Sequence, residues 1–255
     1  MIEMFEPVKE LGQNFLLHKE TAQKMVGALE LSCDEVVVEI GSGLGFITEL
    51  LASTLLDKHS MIYAVEIDAR FAGKLSVEFL HNDNVLVVCE DILKWLPGFN
   101  PKQETFKIIG SLPYNITSPI LHTIAKLPIR PKISVFLIQK EVAEKITSKA
   151  PDSSFLSSFI QTFFSVENLG NVRKDKFSPI PKVDGALIRL RKTPRDISFL
   201  DIKKYVSFLH KAYAHPRKML NKVFTKEEME KIGINPSLRA QNYNSKDWVN
   251  FFNKI

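Results

Sequence analysis

Two hydrophobic periods take turns along this chain. Short apolar, β-branched runs of strand length stand at 35–40 (EVVVEI), 61–67 (MIYAVEI), 84–90 (NVLVVCE), 106–110 (FKIIG) and 132–138 (KISVFLI). Stretches with helical spacing lie between and after them, at 48–56, 69–80, 118–126 and 139–146. A further helix is expected over 18–31, where Ala22, Met25, Val26 and Leu29 share one face. Near-continuous apolar strands alternating with helices predict an α/β fold, its parallel sheet covered on both faces. Ligands of such sheets bind outside the carboxyl ends of the strands. The run GALIRLRK (185–192) alternates and predicts a strand near an antiparallel edge. Beyond the linker-like RKTPRD (191–196) the pattern is helical only, over 201–213, 222–233 and 245–255. A domain boundary is therefore expected near residue 193, dividing a 1–192 α/β domain from a small all-α domain at 193–255.

The chain's 255 residues, 45% of them hydrophobic, suffice for one α/β domain and a smaller unit. The start, MIEMFEP, lacks a signal-peptide core, and no apolar run approaches the ~20 residues of a membrane span. A cytoplasmic protein with no membrane partner is expected, and a monomer, since nothing marks an oligomer interface. Cys33 and Cys89 sit in apolar sequence and are expected to be buried free thiols, with no metal site. The charge distribution says more than the net +5. Residues 193–255 hold 12 Lys and Arg against 6 Asp and Glu, so all the excess positive charge lies there. That asymmetry suits a polyanionic partner, though it also fits an ordinary solvated surface.

The segment VVVEIGSGLGFIT follows a strand and opens a helix. Gly41, Gly43 and Gly45 let the backbone pass close to a ligand at a helix N-terminus. Their G-x-G-x-G spacing is one residue short of the dinucleotide fingerprint. Glu39 places a carboxylate where a cationic group is welcome and pyrophosphate is not. Glu66, ending the second strand, can accept both hydroxyl protons of a ribose. Asp91, ending the third, can accept from an adenine amino group. Three strand-end acids beside a glycine loop suit an adenosine carrying an ammonium group and no phosphate, a description that S-adenosylmethionine (SAM) meets. Any one of these acids can equally cap the following helix.

The segments LGQNFL (11–16), EIGSGLG, VEID, EDIL, SLPYNITSPI, QKEVAEKI, FSPIPKVDGALIRL and GINPSLRA occur in the order found in rRNA adenine dimethyltransferases. From about Leu11 to its end the chain resembles the KsgA/RsmA family of these enzymes. The resemblance implies a class I SAM-dependent methyltransferase fold, a Rossmann-like and mostly parallel seven-stranded sheet, with a small helical C-terminal domain. It implies dimethylation of the exocyclic amines of two adjacent adenosines near the 3′ end of 16S rRNA in the small ribosomal subunit, during ribosome biogenesis. It also places Asn14 and Leu16 in a lid over SAM, Gly41 at its methionine part, Glu66 on the ribose and Asp91 on the adenine amine. Ile67 and Ile92, each beside an acid, are positioned to sandwich the cofactor's adenine, or to be ordinary core residues.

The amine of adenine is a poor nucleophile, because its lone pair is delocalised into the ring. A site that methylates it must accept hydrogen bonds from its protons and hold it in line with the methyl group. In the family the loop after the fourth strand supplies these acceptors. Here that loop begins at Ser111, where the family usually has Asn; Ser111 is expected to touch the cofactor as well as to accept from the amine, and a carbonyl at Leu112 or Pro113 is the second acceptor. Tyr114 and Phe177 match the two aromatics that enclose the target base. A second departure is Pro216 in AYAHPRKML, where the family tends to show an arginine; a helix is expected to start there. Lys140, Lys182, Arg189, Arg217 and Lys218 are the candidates for phosphate contact. Two other functions stay open at this point: an Erm-like methyltransferase of 23S rRNA, and a catalytically weak SAM- and RNA-binding assembly or transcription factor.

Overall fold

The computed structural model describes residues 6–8, 11–56, 59–101, 105–194 and 200–255. The first half runs β1 (Phe15–Leu16), α1 (Lys19–Ala28), β2 (Val36–Ile40), α2 (Phe46–Thr54), β3 (Met61–Glu66), α3 (Ala69–Glu78), β4 (Val85–Cys89), α4 (Ile92–Trp95), β5 (Lys107–Ser111) and α5 (Thr117–Lys126). Then follow β6 (Ile133–Gln139), α6 (Lys140–Thr147), α7 (Phe155–Phe163), β7 (Phe164–Val172), β8 (Phe177–Ser178), β9 (Gly185–Lys192), α8 (Ile202–Tyr213), α9 (Lys226–Ile232) and α10 (Ser245–Phe252). The five β-branched runs form parallel neighbours in a seven-stranded sheet of order β4-β3-β2-β5-β6-β9-β7. β9 pairs antiparallel with β6, as its alternating pattern predicts.

Register brings the chemistry to one edge. Ile40 pairs with Val65, Glu66 with Cys89, Glu39 with Ile109 and Ser111 with Leu137, so the carboxyl ends of five neighbouring strands open side by side. Gly45 turns the chain into α2 with φ +88°. A Cβ there would stand 2.6 Å from Leu75 Cδ2 on α3, so glycine lets these helices approach. At the opposite end of the sheet Lys107, 2% exposed, donates to Glu35 and to the Glu30 carbonyl. A lysine stands this deep only because both acceptors are in place.

The chain divides into two compact units, 1–143 with 167–191 and 144–166 with 192–255. The second is thus discontinuous: its stretch 144–166, holding α7, precedes the boundary expected near 193. In this unit α7 packs against α8 and α10, with Phe155 stacked on His210 at 4.2 Å between ring centroids. The Tyr213 hydroxyl is a shared polar centre, 2.9 Å from Ser153 Oγ and 2.7 Å from Ser158 Oγ, and it accepts from Trp248 Nε1. The linker-like segment lies partly outside the described residues, which omit 195–199.

Several expectations are corrected. Cys33 and Cys89 are exposed, not buried. Cys33 lies in the turn before β2, and Cys89 is on β4, the outer strand, whose side chains are only partly covered. No helix starts at Pro216: α8 ends at Tyr213, and residues 214–218 turn and bend. The helix expected from 222 begins only at Lys226. Thr225 accepts from the Glu228 N–H and Glu228 returns a bond to the Thr225 N–H, fixing the start there. The elements α7, β7 and the β1–β8 pair were absent from the sequence expectations.

Candidate functional site

One cavity lies at the carboxyl edge of the sheet. Its walls come from the segment Leu11–Leu16, the glycine loop, the ends of β3 and β4, and the loop after β5. Of the expected residues, Asn14, Leu16, Glu39, Gly41, Gly43, Glu66, Ile67, Asp91, Ile92, Ser111, Leu112, Pro113, Tyr114 and Phe177 all line it. Gly45 does not; its place is in the contact between α2 and α3 described above.

The three acids are held differently. Glu39, 1% exposed, accepts from the Thr48 hydroxyl at 2.6 Å. Burial pushes its carboxyl up to about 7, and the Thr48 bond opposes that rise. Glu66 accepts the Gly43 N–H on one oxygen and the Asp68 N–H on the other, at 2.8 and 2.9 Å. Burial raises its pKa too, with those two backbone donors pulling the other way. Asp91 caps α4 through one oxygen, which accepts the Leu93 N–H. Helix capping thus accounts for part of Asp91; α3 is capped by Asp68, two residues beyond Glu66.

At the other wall, Ser111 ends β5, and the Leu112 N–H is anchored on the Leu137 carbonyl at 2.9 Å. The Pro113 carbonyl accepts from the Ile116 N–H and the Thr117 hydroxyl. The Tyr114 hydroxyl is buried and has no hydrogen-bond partner among the described residues. Burial raises its pKa, helped by the Asp184 carboxylate. Phe177, 4% exposed, sits on β8, which pairs antiparallel with β1: Leu16 faces Phe177 and Phe15 faces Ser178. That pairing joins the N-terminal segment to a residue far along the chain, and a two-residue strand leaves no periodic signal.

The residues fit SAM. Gly41 has φ +71°, and a Cβ built on it meets nothing within 4 Å, so open space lies where a side chain would stand. The Ser42 hydroxyl, buried in the same wall, has no hydrogen-bond partner of ordinary geometry among the described residues. Glu66 accepts the Gly43 and Asp68 N–H groups on separate oxygens, and a carboxylate has further lone pairs for the ribose hydroxyls.

Of the phosphate-contact candidates, Lys182, Arg217 and Lys218 are exposed and Lys140 is half-buried at the start of α6. Arg189 is otherwise committed. It bridges Glu30 at 3.0 Å and Glu167 at 2.6 Å, and Arg191 joins the same Glu30. Sequence reasoning missed Gln13, whose amide donates to Asp68 at 2.9 Å. The GQNFL motif contains it, but nothing in the sequence pairs it with a residue on another element.

A mostly parallel sheet of this order, with acids at successive strand ends around a glycine loop, defines a class I SAM-dependent methyltransferase. The family described as "Ribosomal RNA adenine dimethylase" matches residues 4–255, and the chain belongs to it. Curated relatives include "Ribosomal RNA small subunit methyltransferase A" of Sulfurihydrogenibium sp., 36% identical, spanning 98% of this chain and 96% of the relative. The protein of the same name in Thermotoga maritima is 34% identical over 96% of this chain and 84% of its own. Among solved structures, a dimethyladenosine transferase from Plasmodium falciparum superposes with a TM-score of 0.82 at 22% identity, covering 94% of this chain and 98% of that one. The 23S rRNA methyltransferase ErmE superposes with a TM-score of 0.72 at 25% identity, covering the same shares. The chain is accordingly a SAM-dependent rRNA adenine dimethyltransferase.

Proposed function

We propose that this protein dimethylates two adjacent adenosines of small-subunit rRNA, with the loop after β5 as its reaction centre. The observation that carries the proposal is the single cavity shared by the acids Glu39, Glu66 and Asp91 and by Ser111, Tyr114 and Phe177. SAM supplies the electrophilic methyl group, carried on a sulfonium. Glu66 takes the ribose hydroxyls, the other oxygen of Asp91 takes the adenine amine, Ile67 and Ile92 flank that ring, and Glu39 faces the ammonium end. Asn14, Leu16, Gly41 and Gly43 close around the cofactor.

The target adenine leaves its stack, which costs a few kcal/mol, and Tyr114 and Phe177 return ~1–3 kcal/mol per stacking contact. The Ser111 hydroxyl accepts a hydrogen bond from one amine N–H. Leu112 is the better placed of the two carbonyls for the other, because Pro113's already accepts twice. Both acceptors favour a pyramidal nitrogen and so act on the transition state more than on the ground state. Each transfer would form an N–C bond as the sulfonium S–C bond breaks, leaving S-adenosylhomocysteine, with the amine proton passing to water; the same pocket would receive the monomethylated base for the second transfer. Lys140, Lys182, Arg217 and Lys218 contact phosphate, and the 193–255 segment supplies much of the attraction to RNA.

The test is to incubate the protein with labelled SAM and unmethylated small or large ribosomal subunits. Label in two neighbouring adenosines of the small subunit is the expected result. Label confined to the large subunit, or none in either, overturns the proposal.

A further inference from the structure

We propose that Gln13 and Asp68 are positioning residues of the cofactor site, and that their hydrogen bond clasps the segment 11–16 over the cavity. The proposal rests on the cavity being the SAM site. Gln13 uses both ends of its amide: Oε1 accepts the Val8 N–H at 2.8 Å, and Nε2 donates to Asp68 Oδ2 at 2.9 Å. Asp68 is a strong fixed point. Its Oδ1 caps α3 and accepts from Arg70 Nε, while its Oδ2 also takes Arg70 Nη2 at 2.6 Å. Arg70 holds the carboxyl down to about 2, so it is ionised at any working pH and remains an acceptor for Gln13. The Asp68 N–H in turn donates to Glu66 Oε1. A continuous chain of bonds therefore runs from the turn that carries Glu66, through Asp68 and Gln13, into the segment that carries Asn14 and Leu16.

Elsewhere the segment is held by packing and by strand pairing. A Cβ on Gly12 would stand 2.9 Å from Asn115 Oδ1, and one on Gly43 would stand 3.1 Å from the Phe15 ring. Phe15 and Leu16 pair with Ser178 and Phe177. These contacts place the segment against the base-binding loop and the glycine loop. The Gln13–Asp68 bond joins it by a side-chain hydrogen bond to the acid side of the cavity. Losing that bond should loosen the segment on this side alone. The cofactor then binds a fractionally populated closed state, and its apparent affinity falls by that fraction.

The experiment compares wild type, Gln13→Ala and the reciprocal exchange Gln13→Glu with Asp68→Asn. Three quantities are read: equilibrium binding of S-adenosylhomocysteine, amide hydrogen exchange of residues 11–16 in the ligand-free protein, and steady-state KM for SAM against kcat. A charged hydrogen bond of this kind corresponds to a loss of about tenfold in binding. Gln13→Ala is expected to weaken S-adenosylhomocysteine about tenfold, speed exchange across 11–16, and raise KM for SAM with kcat within about twofold. In the exchange variant the amide introduced at position 68 donates to the carboxylate introduced at position 13, beside Arg70, and affinity and protection return. Unchanged binding and unchanged exchange in Gln13→Ala overturn the clasp. A wild type that binds S-adenosylhomocysteine yet methylates no rRNA would instead sink the functional proposal and leave the clasp standing.

Discussion

On the proposed mechanism, the chemistry turns on Ser111. Its hydroxyl reaches less far than the Asn amide usual in the family, yet it ends β5 at the cavity wall, beside the anchored Leu112. Ser111→Ala is expected to lower kcat on small subunits about tenfold with SAM binding retained, the scale of one neutral hydrogen bond. An unchanged kcat would remove Ser111 from the reaction. Glu39 makes a different prediction. An unfolded glutamate ionises around 4.5, whereas buried Glu39 holds its proton up to about 7. Between those values the folded state binds the extra proton, so stability falls as pH rises. Buried Glu66 adds to the same trend. The ligand-free protein should therefore melt at lower temperature at about pH 8 than at about pH 5.5. Glu39→Gln should flatten that difference, as thermal unfolding at the two pH values will show.

At the scale of elements, the strands were the most legible part of the sequence, because the inner strands of a parallel sheet are buried on both faces and leave unbroken β-branched runs. The helices around the glycine loop depend on close approach. Gly45→Ala puts a methyl 2.6 Å from Leu75 Cδ2 at a backbone φ of +88°, and both terms disfavour it. Chemical denaturation should show a loss of about 2 kcal/mol, with cofactor binding retained in the folded fraction, because Gly45 does not line the cavity. α7 was illegible for a different reason. Its apolar face, rich in Phe, is explained only by partners on α8 and α10, which lie far along the chain. Lys107, inside an otherwise apolar strand, was likewise readable only once Glu35 and the Glu30 carbonyl were seen beside it.

At the scale of the whole molecule, charge is the governing quantity. Binding to small subunits should weaken steeply with salt, and Lys182→Ala should shallow the log–log slope by about one ion. Arg189→Ala should leave that slope unchanged and lower the melting temperature instead, since its guanidinium bridges Glu30 and Glu167. Equal slopes for Lys182→Ala and wild type would remove Lys182 from the RNA surface. Among the described residues no helix is long and apolar enough to cross a membrane.

By itself the sequence determined the α/β alternation, the glycine loop, the acids at the strand ends and the aromatic loop after β5. Each is a local pattern, written in neighbouring residues whose spacing is set by strand and helix geometry. Tertiary structure alone decided that Phe177 returns to Leu16, that Gln13 meets Asp68, that Arg189 is spent on two glutamates, and that Cys33 and Cys89 face solvent. Those outcomes depend on which distant surfaces meet, and no period in the chain encodes them. The site is therefore legible as a set of residues, while its closure depends on pairings that only the folded chain makes.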